Sequence, residues 1–464
     1  MSDTSRAVFL SGSPLRHITV MALTSSLGLM AVFMVDFVDM IFIAMLGKAE
    51  LAAAVGYAGA ILFFTSSFGI GMAIAAGALV ARALGQGDTE TAQRRATNAL
   101  IYGVVFGAVF AGIVWANLAP LAKLMGAKGD TLELAVHYLA IVVPSLPFLL
   151  VGMVGGAILR AHGDARRAMM ATIWGAIINA VLDPILIFGF DLELTGAALA
   201  SVAARVAMAV AALWPIVRHY GGFGRPSLAS LRLDLTPILA IGVPAVLTQL
   251  ATPIGQAYVT RSMAAFGEEA VAGMAIIARM TPVAFGVIFA MSGAIGPIIG
   301  QNAGAGQYAR VRRTIIDGLL FTLAIVAVVS VLLFLLRGPL AWLFALEGQA
   351  LSLVFLFAGP LSLLFFFNGV IFVANAAFNN LGHPFYSTAV NWGRHTLGTI
   401  PFVILGGMWW GAPGVLIGQA LGGIVFAGVA LLLAWRVIKG GGPEVPARPF
   451  ARHGRLIGLL HARR

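Results

Sequence analysis

Three carboxylates and an amide stand inside segments that otherwise consist of apolar residues. Asp36 and Asp39 lie three apart in the first such segment, and Asn179 and Asp183 lie four apart in the fifth, followed at once by Pro184. On a helix both spacings put the pair on one face. Proline has no N–H and its ring crowds the carbonyl four residues back, so the oxygen of Ala180 is freed beside the Asp183 carboxyl. Ser201 and Arg205, four apart in the sixth segment, add a hydroxyl and a fixed positive charge within range to pair with an acid and hold it ionised. An ionised carboxylate at the bilayer centre costs roughly 2.5–3.5 kcal/mol on insertion scales, so such groups face protein or water and serve a purpose. Carboxylates close together in a partly dry cavity titrate as a coupled set and can take up a proton. Together with the Asn179 carbonyl, the Ser201 hydroxyl and water, Asp39 and Asp183 equally make an oxygen cage for sodium. For Asn179, Ser201 and Asp36, plain helix-to-helix hydrogen bonding is the competing account.

Membrane-spanning helices must position these groups. The chain has 464 residues, 60% hydrophobic and only 10% charged, against about 25% charged in soluble domains. Twelve apolar segments, the first at 17–46 and the last at 414–438, are each long enough for a crossing of about 20 residues. A net charge of +11 would suggest nucleic acid in a soluble domain. Here the basic residues fall in alternate loops: Arg82, Arg94 and Arg95, then Arg160, Arg166 and Arg167, then Arg218, Arg225 and Arg232, then Arg310, Arg312 and Arg313, and the tail from Arg436. That one-sided pattern puts both termini in the cytoplasm of an inner-membrane protein. Residues 1–16 carry no cleavable signal pattern, so the first crossing is expected to be retained. Zero cysteines exclude disulfides and thiolate metal sites. Gly304-Ala-Gly306 lacks the Lys-Ser/Thr of a phosphate loop, and no nucleophile, base and metal set suggests an enzyme.

The chain repeats itself. Ala81-Arg-Ala-Leu-Gly-Gln-Gly-Asp88 aligns with Gly300-Gln-Asn-Ala-Gly-Ala-Gly-Gln307, and Leu159-Arg-Ala-His-Gly-Asp164 with Phe378-Asn-Asn-Leu-Gly-His383, both at a shift of about 219 residues. The expectation is an all-α polytopic membrane protein with twelve transmembrane helices in two six-helix lobes. Six is even, so the lobes are parallel repeats related by a pseudo-two-fold axis along the membrane normal. The divisions are a cytoplasmic segment 1–16, an N-lobe 17–220, a linker 221–235, a C-lobe 236–438 and a basic tail 439–464. The C-lobe offers Gln256, Tyr258, Asn375, Asn391 and Gln419 but no acid where the N-lobe has Asp39 and Asp183. Gln256, Tyr258 and Asn375 are therefore candidates for substrate contact.

These residues also carry a resemblance. Val38-Asp39-Met-Ile-Phe-Ile-Ala-Met-Leu-Gly47, Ile178-Asn179-Ala-Val-Leu-Asp183-Pro184, Thr195-Gly-Ala-Ala-Leu-Ala-Ser201 and Pro297-Ile-Ile-Gly-Gln-Asn-Ala-Gly-Ala-Gly306 resemble, in order and spacing, the multidrug and toxic compound extrusion (MATE) family and its DinF-like branch. The resemblance implies a V-shaped pair of lobes that exports cationic or aromatic compounds in exchange for protons or sodium ions. It also implies that Asp39, Asn179, Asp183 and Ser201 form the coupling-ion site; Asp36, beside Asp39, is expected to modulate it. Asp36 stands where relatives often have asparagine. A proline of the branch's first span is absent from Leu23-Thr-Ser-Ser-Leu-Gly28, leaving Gly28 as a softer hinge, and the C-lobe acids of the other bacterial branch are missing.

The expected function is a secondary active multidrug efflux antiporter. No cofactor is expected beyond the coupling ion, H+ or Na+, and the partners are small cationic or aromatic solutes and membrane lipids. No nucleic-acid partner is expected, and the protein is expected to be monomeric. The alternative within the superfamily is a lipid-linked oligosaccharide flippase, which would line its cavity with basic residues to meet a diphosphate.

Overall fold

The computed structural model describes residues 7–440, so most of the basic tail 439–464 and the first residues of segment 1–16 lie outside it. Among the described residues all regular structure is helical. The helices are α1 Pro14–Met45, α2 Ala49–Gly85, α3 Thr89–Ala116, α4 Leu118–Leu124, α5 Gly129–Val142, α6 Leu146–Ala161, α7 Ala165–Pro184 and α8 Glu193–His219. They continue with α9 Leu228–Ala264, α10 Glu268–Ala284, α11 Gly286–Gly304, α12 Tyr308–Leu343, α13 Gly348–Leu356, α14 Phe365–Asn380, α15 Pro384–His395 and α16 Ile400–Lys439.

Several crossings are built from two helices, and a proline stands at each break, where it removes a donor and crowds the preceding turn. Pro144 interrupts α5 and α6 with a short 3-10 turn. The carbonyl of Ala140, four residues before Pro144, is taken instead by Trp115 Nε1 at 3.2 Å. Pro282 precedes the 48° bend between α10 and α11, and Pro360 lies at the 59° bend between α13 and α14. The stretch Pro384–Lys439 is too long for one crossing, at 56 residues. It folds back at Gly411, whose φ of 63° and ψ of −144° leave the helix. Its two arms touch backbone to backbone, Gly398 on Gly422, Phe402 on Gly418 and Gly406 on Gly414. With that hairpin counted as two, the described residues make twelve crossings.

The repeat is written in the backbone as well as the sequence. Residues with positive φ recur 219 positions apart: Gly87 and Gly306, Gly126 and Ala345, Gly129 and Gly348, Gly163 and Gly382. Gly87 and Gly163 each turn the chain just before an aspartate that caps the next helix, Asp88 for α3 and Asp164 for α7. The second half has Gln307 and His383 at those places, and neither caps through its side chain.

Asp164 does more than cap. It accepts hydrogen bonds from the Arg167 N–H at 3.0 Å, the Arg167 guanidinium at 2.6 Å and the Tyr220 hydroxyl at 2.6 Å. Burial alone would raise its pKa, but these donors outweigh it and hold the carboxyl below the usual range. Burial and the same hydrogen bond push Tyr220 up to about 12. A depressed carboxyl stabilises the fold at neutral pH, and the contribution is lost as pH falls through its folded pKa. Asp164→Asn keeps a capping side chain but loses the charge that strengthens the bonds from Arg167 and Tyr220, so it should lower stability by about 1–2 kcal/mol near pH 7, and the gap from the parent should narrow in acid melts.

The chain divides into two compact units, and the division exchanges two short segments. Residues 24–234 form unit 1, whereas Phe9–Leu23 group with the chain from Leu235 onward as unit 2. In unit 2, Phe9 N–H donates to Gln301 at 2.9 Å, and Arg310 donates to the carbonyls of Phe9, Ser11 and Gly12 at 2.9–3.2 Å. In unit 1 the start of α9 is held in the same manner. Asp234 accepts from Asn98 at 2.7 Å and Arg94 at 3.1 Å, and Tyr102 donates to the Leu231 carbonyl at 2.7 Å. The linker expected over 221–235 is thus partly helical. Ser227 and Ser230 cap each other's N–H groups at 3.0 and 3.1 Å and start α9 at Leu228.

Within unit 1, small residues let helices approach closely, as is usual in membranes. The position a Cβ would take on Gly175 of α7 lies 3.2 Å from the Ala204 carbonyl of α8, and on Gly196 of α8 it lies 2.7 Å from Leu186. Gly28, the expected hinge, lies inside the unbroken α1, where the same position is 3.4 Å from Met169. It serves as a contact point for α7.

Candidate functional site

The first-half candidates converge in unit 1. Asn179 and Asp183 occupy the last two turns of α7, and beyond Pro184 the chain widens into a π-turn, Ile185–Gly189. Such turns place side chains that a regular helix would carry elsewhere, and they recur at functional sites. Asp183 is fully buried, at 0% exposure, while Asp39 on α1 is half-buried.

The Asp39 and Asp183 carboxyls lie within hydrogen-bonding reach of each other. Asn179 donates its Nδ2 to Asp183 Oδ2 at 3.1 Å. In both acids Oδ1 is buried and meets no donor from the backbone or another polar side chain. Ionised carboxylates only accept, so a hydrogen bond between the two requires a proton on one of them.

The remaining candidates lie around it. Ser201 lies near the hydroxyl of Tyr138, a buried residue of α5 that is also within electrostatic range of both acids. Arg205 does not form the expected ion pair with an acid. Its guanidinium donates to the Val142 carbonyl at 3.1 Å and to Ser145 Oγ at 3.0 Å, because the 3-10 turn at Pro144 presents acceptors there. No ion pair with Arg205 therefore neutralises the acids. Asp36 is exposed on α1, outside the hydrogen-bonded set, and acts on Asp39 only through space. Among the described residues no three His, Asp or Glu side chains group as a metal cluster.

The second-half candidates form two separate polar pairs in unit 2. Gln256 Oε1 accepts from Gln419 at 3.3 Å. Asn375, 8% exposed, accepts from Asn391 at 3.2 Å. Tyr258 packs against the apolar cluster of Val259, Ile277 and Val415. Two residues that sequence reasoning passed over stand out. Arg394 and His395 end α15 inside the eleventh apolar segment, and His395 is 5% exposed with both ring nitrogens buried and unpartnered. Two adjacent basic residues within that apolar run were the available signal. Tyr138 gave none, since a tyrosine in an apolar helix reads as an anchor or as packing.

Comparison with known proteins agrees with this architecture. The family model MatE matches residues 25–185 and again 244–405, once per half. An FAD transporter of Shewanella oneidensis is 28% identical over 428 residues, 90% of this chain and 94% of that protein. The multidrug export protein MepA of Staphylococcus aureus is 28% identical over 57% of this chain and 59% of its own length. The crystal structure of an aspartate-to-asparagine mutant of the Vibrio cholerae MATE transporter VcmN superposes with a TM-score of 0.86 at 25% identity, covering 92% of this chain and 97% of that one. With the family model matched in both halves and the helical architecture shared, the chain belongs to the MatE family, and it is a multi-pass membrane transporter and not an enzyme.

Proposed function

We propose that the protein is a proton-coupled antiporter that exports small aromatic solutes. The carrying observation is the Asp39–Asp183 pair, two carboxyls close enough to share one proton. A further contact favours a proton over sodium: Asn179 turns its NH2, and not its oxygen, towards Asp183. A sodium cage would need that oxygen turned inward. A proton arriving from outside would neutralise charge on the pair and permit the opposite-facing state, and its release to the cytoplasm would reset the carrier. The arginine-rich loops support cytoplasmic termini. The relatives named for multidrug export and for FAD transport support small organic solutes as cargo.

Purified protein in liposomes, loaded with ethidium and subjected in turn to a pH gradient and a sodium gradient, tests this. The pH gradient should drive ethidium flux and the sodium gradient should not. Flux under sodium alone would overturn proton coupling.

A further inference from the structure

We propose that the end of α15 is an oxyanion subsite for the phosphate or carboxylate of an aromatic solute. Arg394 supplies the charge, and His395 with Gln256 supplies neutral hydrogen bonds. The proposal rests on the transport reading above and names a class of cargo for it.

An arginine within a crossing is expensive unless something negative meets it. Among the described residues of unit 2 the carboxylates are few, and each is placed elsewhere: Glu347 precedes α13. Glu268 and Glu269 open α10 at its mouth, and Asp317, at the start of α12, is already paired with Arg313 at 2.8 Å. Among the described residues Arg394 forms no ion pair. Nor is its guanidinium needed to cap α15, whose last carbonyls have donors of their own. The Trp392 carbonyl accepts from the N–H and hydroxyl of Thr396 at 2.9 and 2.7 Å, that of Gly393 from Gly398 N–H at 2.8 Å, and that of Arg394 from the Thr399 hydroxyl at 2.9 Å. The charge is structurally spare.

Its surroundings suit an anion with several acceptor oxygens. The next residue, His395, has both ring nitrogens buried without a partner, and buried polar atoms of that kind call for an explanation. Its ring lies against the backbone of Gly255 in α9, with no room for a side chain there. Gln256 follows directly, and Gln419 already satisfies its Oε1, so the Gln256 NH2 is the end left to serve a ligand. On the α16 side, Gly423 presents bare backbone towards Arg394, its Cβ position 3.9 Å from Nε. The guanidinium on the α16 side and the His395 ring beside Gly255 on the α9 side flank the end of α15, and a guanidinium matches phosphate and carboxylate geometry. Exporting an anion as protons enter also moves net positive charge inward, so an inside-negative potential should accelerate it, whereas one-for-one exchange of a monovalent cation would not respond.

The probes are flavin mononucleotide, riboflavin, which has the same ring without the phosphate, and ethidium. Full-length protein in detergent should bind flavin mononucleotide at least about tenfold more tightly than riboflavin, as a charge-assisted contact requires. In Arg394→Gln the ratio should collapse to about one, and Arg394→Lys should recover part of it. A ratio is insensitive to how much of each variant folds. A wild-type ratio near one, an unchanged ratio in Arg394→Gln, or displacement of the nucleotide by phosphatidylglycerol would overturn the subsite, the last by assigning Arg394 to a lipid headgroup. Arg394-dependent binding without gradient-driven flux of any probe would keep the subsite and remove the antiport reading. Proton-driven ethidium flux with no nucleotide binding would do the reverse.

Discussion

Asp183→Asn and Asp39→Asn should each reduce pH-driven efflux to the level of empty liposomes while leaving the protein folded. The reason is in the contact between the two carboxyls. An amide in place of either acid keeps a permanent donor towards its neighbour, so the hydrogen bond survives and the helices α1 and α7 stay in register. What is lost is the alternation between a pair that holds a proton and one that does not. The carrier is then fixed in its loaded form and cannot use a gradient. Melting temperatures within a few degrees of the parent would separate this from misfolding. Asp36→Asn supplies the comparison. It touches neither partner and should retain most of the flux. Normal efflux by Asp183→Asn, or a loss in Asp36→Asn as complete as in the other two, would remove the pair from the mechanism.

Gly422→Leu should prevent the protein from being isolated as a folded species at all. A Cβ at Gly422 would run into the Gly398 carbonyl, one at Gly418 into that of Phe402, and one at Gly414 into that of Gly406. These obstacles are backbone atoms, which cannot rotate aside as a side chain would. In a soluble core, overpacking costs typically 1–3 kcal/mol because neighbours adjust. Here the arms of α16 and its preceding segment must separate along their length, so a loss of about 3 kcal/mol or more is expected. Size-exclusion profiles in mild detergent would read it directly. Gly428→Leu, at a position with nothing within 4 Å of its Cβ, should behave like the parent.

Much of this architecture is legible in the residues alone. Apolar runs separated by arginine loops report the crossings, because burial in lipid leaves little freedom in composition. Prolines stand at the breaks near Pro144, Pro282 and Pro360, yet Pro237, Pro244 and Pro253 lie in the unbroken α9, so proline alone does not say which crossing bends. Asp39 and Asp183 are conspicuous because the membrane penalises them. Partners are another matter. Arg205 looks like a counter-charge for an acid, yet a break in α5 offers it acceptors that no spacing rule announces. Tyr138 and its nearness to Ser201 depend on two helices meeting at one height, which a one-dimensional pattern does not encode. The run from Phe9 to Gly12 carries neither charge nor periodicity, so its attachment to Arg310 leaves no trace before the fold is known.

That attachment constrains how the chain is made. Unit 1 lacks its last piece until Asp234 has been synthesised, and the cradle for Phe9 does not exist until Arg310 has followed, 301 residues after it. The N-terminal stretch of the nascent chain must therefore stay uncommitted through most of translation, and closure of so long a loop comes late. Two genes, each encoding one half, would give products that are each missing a segment carried by the other. Such halves would be expected to mature only when produced together, as a pair whose ends trade places.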